Sequence, residues 1–185
     1  MKAHMVKTPL TKDAIRKLNA GDDVCLSGTI FTARDTAHKR LRDLIKKGKK
    51  IPLELKNAVV YYAGPTPGRR GRPIGSCGPT TSSRMDAFAP LLMQKGISGM
   101  IGKGDRSEEV RRAIKKSGSV YFLATGGLGA LLSMKVKKAR CVAFKDLGPE
   151  AIYKLEVIDF PLIVGIDSKG RNIYDETKWK KAGRA

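Results

Sequence analysis

Three short segments carry most of the chemistry this sequence offers. They are Thr32-Ala33-Arg34-Asp35, Gly78-Pro79-Thr80-Thr81 with Arg84 just beyond, and Gly102-Lys103-Gly104. Each reads as a link between a strand and a helix start, where free backbone N–H groups and a partial positive charge favour an anion. Arg34 and Arg84 suit carboxylates, because a planar guanidinium gives two parallel hydrogen bonds, and Lys103 adds a point charge. Brought together, the three loops would hold a small dianion. Taken singly, each has an ordinary explanation: a surface ion pair at Arg34-Asp35, a turn and cap at 78–81, a tight turn with an exposed lysine at 102–104. Phosphate is an open alternative ligand, although the chain has neither Gly-x-x-x-x-Gly-Lys-Ser/Thr nor Gly-x-Gly-x-x-Gly after a strand. Gly126-Gly127-Leu128-Gly129 imitates such a loop weakly and reads as close helix packing.

Nucleophilic chemistry has thinner support. The Thr80 hydroxyl is a poor base alone and needs a charged neighbour to relay its proton. Cys77 precedes a helix start, a setting that lowers a thiol pKa. His38 lies one turn after Arg34 and either faces the same cleft or is a satisfied surface histidine.

Positioning these groups falls to alternating strands and helices. Thr11 caps a short helix, and residues 24–31 read as a strand. Asp35 reads as the N-cap of a helix over 36–47, closed by Gly48. A short buried strand at 58–62 runs into a Gly/Pro-rich loop over 63–79. That loop is expected to be mobile and short of buried contacts; it carries Arg69, Arg70 and Arg72. Thr81 or Ser82 caps a helix over 83–94 that kinks at Pro90. A strand over 97–101 leads to a helix opened by the capping box Asp105-x-x-Glu108. Strands follow at 119–124, 140–144 and 161–167, with a helical turn over 149–155 and a hairpin turn over 168–172 into a last strand at Ile173-Tyr174. The alternation predicts an α/β fold in one domain over 1–185, with a largely parallel central sheet and a flexible polar tail from about residue 175. In such sheets ligands sit at the strand carboxyl ends, where all three loops fall.

Composition narrows the class. The 185 residues are 41% hydrophobic, enough for a core. No apolar run reaches the ~18 residues of a membrane span, and the first residues lack a signal-peptide core, so a soluble cytoplasmic protein is expected. Cys25, Cys77 and Cys141 are odd in number and widely spaced, and His4 and His38 add little, so no metal site is expected from this chain alone. The net charge is +20, which calls for an anionic partner: nucleic acid, membrane, acidic protein or substrate. Only 6% of residues are aromatic. No segment interleaves aromatics with basic residues, and no zinc-finger spacing or RRM box occurs, which argues against nucleic acid.

Read in order, Thr32-Ala33-Arg34-Asp35-x-Ala37-His38, Tyr62-Ala63-Gly64-Pro65, Gly78-Pro79-Thr80-Thr81-Ser82-x-Arg84-Met85-Asp86 and Gly102-Lys103-Gly104 resemble the class I, iron–sulfur fumarate hydratases. The likeness runs from about Thr8 to Tyr174 and matches their C-terminal domain or separate beta subunit. The L-tartrate dehydratase beta subunit shares the family. The resemblance implies a swivelling β/β/α architecture and reversible hydration of fumarate to (S)-malate. It implies a [4Fe–4S] cluster whose cysteine ligands lie in an alpha subunit, with an open iron acting as Lewis acid. Arg34, Thr81, Arg84 and Lys103 would then bind the substrate carboxylates. Thr80 would face the C3 proton, with Lys103 or an alpha-subunit carboxylate assisting. The chain would work only in a hetero-oligomer with that alpha subunit. Its charge would complement an acidic partner and steer the dianion inward. The alternatives are a tartrate dehydratase beta subunit and, from another class, a basic nucleic-acid-binding protein marked by a continuous basic face and a steep salt dependence.

Overall fold

A computed structural model describes residues 3–69, 71–125 and 127–175. The elements run β1 (His4–Lys7), α1 (Lys12–Arg16), β2 (Asp23–Thr32), α2 (Asp35–Lys46), β3 (Val59–Tyr61), α3 (Ala89–Gln94), β4 (Gly99–Gly102), α4 (Glu108–Ser117), β5 (Val120–Leu123), α5 (Gly129–Met134), β6 (Val136–Ala143) and β7 (Ile152–Ile166). Single 3-10 segments at Ser82–Met85 and Lys145–Glu150 precede α3 and β7.

The fold is α/β, but the expected mostly parallel sheet and swivelling β/β/α architecture are corrected. The sheet is mixed and closes on itself. Parallel pairings join β1 to β2, β2 to β3, β3 to β4 and β4 to β5. β7 runs antiparallel to β2, β5 and β6. The pairings β2–β3–β4–β5–β7–β2 therefore form a closed circuit. Closure depends on the length of β7. Its 15 residues pair with β2 along one edge, and with β6 and then β5 along the other. The helical turn that the sequence suggests over 149–155 is not formed within its first half. The run Ile152-Tyr153-Lys154-Leu155-Glu156-Val157 instead alternates, and the β-branched and aromatic residues suit a pleated strand.

Alternation divides the core between the two faces of the sheet. Val59, Tyr61, Val120, Phe122, Leu155 and Val157 join Ile15 of α1 and Leu132 of α5 in one buried cluster. Val60, Tyr62, Met100 and Tyr121 face the other way, beneath Leu41 of α2, Leu92 and Met93 of α3, and Val110 and Ile114 of α4. Each such aliphatic side chain, fully buried, contributes roughly 1.5–3 kcal/mol.

Several local expectations are revised. α4 starts at Ser107, whose hydroxyl accepts from the Val110 N–H, so the Asp105 capping box is not formed. The helix ends at Gly118, whose φ of 63° is the left-handed conformation a C-terminal turn demands. Pro90 opens α3 instead of kinking a longer helix, since a proline is tolerated where N–H groups are unpaired anyway. The 63–79 segment folds back on itself. Ala63 bridges Pro79 and Pro67 bridges Ile74, and the Tyr61 hydroxyl donates to the Cys77 carbonyl at 2.6 Å. Ile74 and Cys77 are buried, so the segment has the core contacts it was expected to lack. After the turn at 168–172, residues 173–175 are helical and not a strand. Asp175 pairs with Arg111 at 2.6 Å; the polar tail beyond it lies outside the described residues.

Candidate functional site

Because β2, β3, β4 and β5 are parallel, their carboxyl ends share one edge of the closed sheet. Thr32 ends β2 and leads to Arg34. β3 leads through the folded-back segment to Thr80, whose N–H returns to the Tyr62 carbonyl at 2.7 Å. β4 ends at Gly102 and leads to Lys103. β7 runs the other way and brings Glu150, just before its start, to the same edge.

Arg84 is held from two sides. Its Nε donates to Asp35 Oδ1 at 2.9 Å, and its Nη2 lies 2.8 Å from Asp35 Oδ2. Its Nη1 lies 3.5 Å from Thr80 Oγ. Asp35 is thus not the expected N-cap of α2. It is the first helical residue, and its carboxylate is turned to Arg84. The exposed end of α2 is closed by Glu150, which accepts from the Thr36 N–H at 3.0 Å. The other Glu150 oxygen lies 3.6 Å from Arg34 Nη2, while Arg34 Nε is buried without a hydrogen-bond partner. Burial alone would raise the Glu150 carboxyl. The Thr36 hydrogen bonds and the charges of Arg34 and Arg84 outweigh it and hold the group below the ordinary carboxylate range.

Thr81 and Lys103 meet through their backbones as a parallel bridge, and the Ser82 N–H donates to the Lys103 carbonyl at 3.0 Å. Both side chains are exposed. Thr81 occupies the N-cap position of the 3-10 segment but makes no side-chain cap. The two loops touch because Gly102 has no side chain: a Cβ there would lie 1.9 Å from Ser82 Oγ and 3.0 Å from Tyr62 Cδ2.

Of the five residues expected at a site, Arg84 and Thr80 are in direct contact, and Thr81 and Lys103 are paired. Arg34 joins them through Glu150, whose charge acts with both Arg34 and Arg84. Glu150 was missed because no local spacing ties it to Arg34; only the antiparallel entry of β7 does. Cys77 and His38 leave the list of reactive groups. Burial pushes the Cys77 thiol up to about 12, which removes the thiolate. His38 is buried, not a surface residue. Burial lowers it to about 4, and its Nδ1 lies 2.8 Å from the Arg34 carbonyl. A carbonyl only accepts, so Nδ1 carries the proton and the neutral ring braces the turn under Arg34.

The arrangement is a cation-bearing edge on a closed mixed sheet, with three cations from the ends of three neighbouring parallel strands. That defines an α/β domain with a cation-bearing sheet edge. The chain belongs to the Fumarase C-terminus family, whose model matches residues 2–177. It is 44% identical over 82% of its length to the anaerobic class I fumarate hydratase of Escherichia coli K12, and covers 28% of that protein. It is 43% identical over 82% of its length to the mitochondrial fumarate hydratase 1 of Leishmania major, again covering 28%. To the putative L(+)-tartrate dehydratase subunit beta of Methanocaldococcus jannaschii it is 42% identical, over 92% of this chain and 91% of the relative. The chain thus spans under a third of these two fumarate hydratases and nearly all of the tartrate dehydratase subunit.

An iron–sulfur cluster does not fit the donors among the described residues. Cys25, Cys77 and Cys141 are free and stand on β2, the folded-back segment and β6. Among the described residues no three His, Cys, Asp or Glu side chains gather as a ligand set. No helix among them is long and apolar enough to cross a membrane.

Proposed function

We propose that this chain is the dicarboxylate-binding part of a hydro-lyase that interconverts fumarate and (S)-malate. What supports the reading most is that Arg34, Thr80, Arg84 and Lys103 stand at the carboxyl ends of adjacent parallel strands. Arg34 and Arg84 bind the two carboxylates, with Thr81 and Lys103 completing the anion site. Both side chains keep exposed surface for a ligand, 27% for Arg34 and 49% for Arg84, and Arg84 Nη1 reaches the Thr80 hydroxyl.

In the dehydration direction the C3 proton leaves as the C2–O bond breaks, and the departing oxygen takes up a proton to become water. Thr80 Oγ receives the C3 proton as a carboxylate of the alpha polypeptide takes the Thr80 hydroxyl proton. The Arg84 guanidinium 3.5 Å away stabilises negative charge on that oxygen, as Lys103 does on the carboxylate that gathers charge. The cluster that such enzymes use would be held by a companion alpha polypeptide and would supply a Lewis acid for the departing oxygen.

The chain acts only in a cytoplasmic hetero-oligomer with that polypeptide. The +20 charge matches an acidic partner surface and a dianionic substrate. L-tartrate is the second substrate reading, favoured by the beta subunit of similar length in Methanocaldococcus jannaschii.

The test is anaerobic assembly with the alpha polypeptide, followed by turnover of fumarate, (S)-malate and L-tartrate in parallel. Turnover of fumarate and malate only with both chains present is expected. Turnover of tartrate alone would move the assignment to the sister reaction, and no turnover by a cluster-loaded complex would refute the hydro-lyase reading. Thr80→Ala is expected to lower kcat far more than it raises KM; an unchanged kcat would remove Thr80 from the chemistry.

A further inference from the structure

We propose that the buried Arg106–Asp86 pair and the Tyr121 hydroxyl form a positioning device that fixes Arg84 relative to Lys103, an inference that rests on the dicarboxylate reading above. Asp86 follows Arg84 by two residues, and Arg106 follows Lys103 by three. The pair therefore ties together the two loops that carry the cations. Arg106 Nε donates to Asp86 Oδ1 at 2.7 Å, and the Ser107 N–H donates to Asp86 Oδ2 at 2.7 Å. The Arg106 side chain has no exposed surface. Its guanidinium lies 5.3 Å from the ring centre of Tyr62 and 5.0 Å from that of Tyr121. The Tyr121 oxygen lies 2.8 Å from both Ser82 Oγ and the Gly104 carbonyl oxygen. The carbonyl can only accept, so the phenol donates to Gly104 and accepts from Ser82. Tyr121 thus clasps one residue from each loop.

Stability alone does not explain this cluster. Removing a salt bridge from water is costly, and apolar residues of equal volume commonly serve the core as well or better. Arg106 Nη2 is moreover buried with no hydrogen-bond partner, a penalty a purely structural core avoids. What the charged pair provides is orientation. A guanidinium is a rigid plane with fixed donor directions, and a carboxylate read by both a side chain and a backbone N–H has one position. Small displacements of groups that bind a reacting substrate are expensive in rate, so a rigid link between the Arg84 and Lys103 loops has a use.

The experiment compares Tyr121→Phe, Arg106→Lys and Asp86→Asn with the unaltered chain. Tyr121→Phe keeps the ring and the core packing and removes only the clasp. Two readouts are taken. Amide hydrogen exchange on the full chain is expected to speed up at Ser82, whose N–H donates to Lys103, while the β2 and α2 amides stay as they were. In the assembled enzyme, kcat/KM well below the melting transition is expected to fall about tenfold for Tyr121→Phe. Arg106→Lys, which keeps the charge but loses the fork, is expected to behave likewise and not to restore the rate. A merely structural role predicts a lower melting temperature with kcat/KM of the folded enzyme unchanged, and that result would overturn the proposal. Unchanged Ser82 exchange would overturn it as well. Faster exchange at Ser82 together with no dicarboxylate turnover by the unaltered assembly would instead defeat the substrate reading and leave the link between the loops standing.

Discussion

Arg84 pairs with both oxygens of Asp35: Nε donates to Oδ1 at 2.9 Å, and Nη2 makes an ion contact with Oδ2 at 2.8 Å that lacks hydrogen-bond geometry. The carboxylate comes from the first turn of α2, and the guanidinium from the 3-10 segment 49 residues further on. The grip uses one edge of the guanidinium and leaves Nη1 turned to Thr80. The arginine is thereby held in one orientation, which would lower the ordering cost of the dicarboxylate binding proposed above.

Asp35→Asn is therefore expected to raise KM for the dicarboxylate about tenfold, the equivalent of ~1.4 kcal/mol, with a smaller change in kcat. Because the pair is partly exposed, its loss should cost under about 1 kcal/mol of folding stability. Steady-state kinetics of the assembled enzyme beside urea unfolding separates the two effects. An unchanged KM would show that Arg84 needs no such aim.

Glu150 satisfies the Thr36 N–H and faces Arg34. Glu150→Ala is expected to cost about 1 kcal/mol, the usual value of a lost helix cap, and to weaken substrate binding through Arg34. Denaturant unfolding checks the first claim and KM the second. Equal stability of the two proteins would mean that water caps α2 equally well.

His38 makes stability depend on pH. Burial lowers its pKa from 6.5 to about 4, so between those values the unfolded chain binds a proton that the folded chain does not. Stability from the neutral ring is complete above pH 6.5 and is lost as pH falls towards 4, by about 3 kcal/mol in all. Glu150, held below its ordinary value, adds a loss of the same sign at lower pH. Urea midpoints across this range should show the slope, and His38→Gln should flatten it. A slope indifferent to that substitution would assign it to other groups.

Gly102→Ala is expected to destabilise the fold by roughly 1–3 kcal/mol through overpacking against Ser82 and Tyr62. Adding Ser82→Ala removes the oxygen that stands 1.9 Å from the new Cβ, and should recover part of the loss. The double-mutant cycle measures that coupling directly. Purely additive effects would mean that the clash is relieved elsewhere.

The α/β class, the Thr11 cap, most strand positions and the cation-bearing loops after β2 and β4 are legible along the chain. These follow from local physics: hydrophobic period, turn residues, and motifs that are contiguous along the chain. How the sheet closes is not legible there, because β7 reads locally as a helical turn followed by a short strand, and its full length appears only once β2, β5 and β6 supply hydrogen-bond partners. The same holds for the carboxylates. Asp35 and Asp105 both stand where a helix cap is expected. Asp35 instead meets Arg84, and Asp105 accepts from Asn172 Nδ2 at 2.8 Å. Asp86 and Glu150 gain their roles from guanidiniums distant in the chain. A carboxylate binds the best donors within reach, and which donors those are depends on the folding of the whole chain, not on its neighbours in sequence.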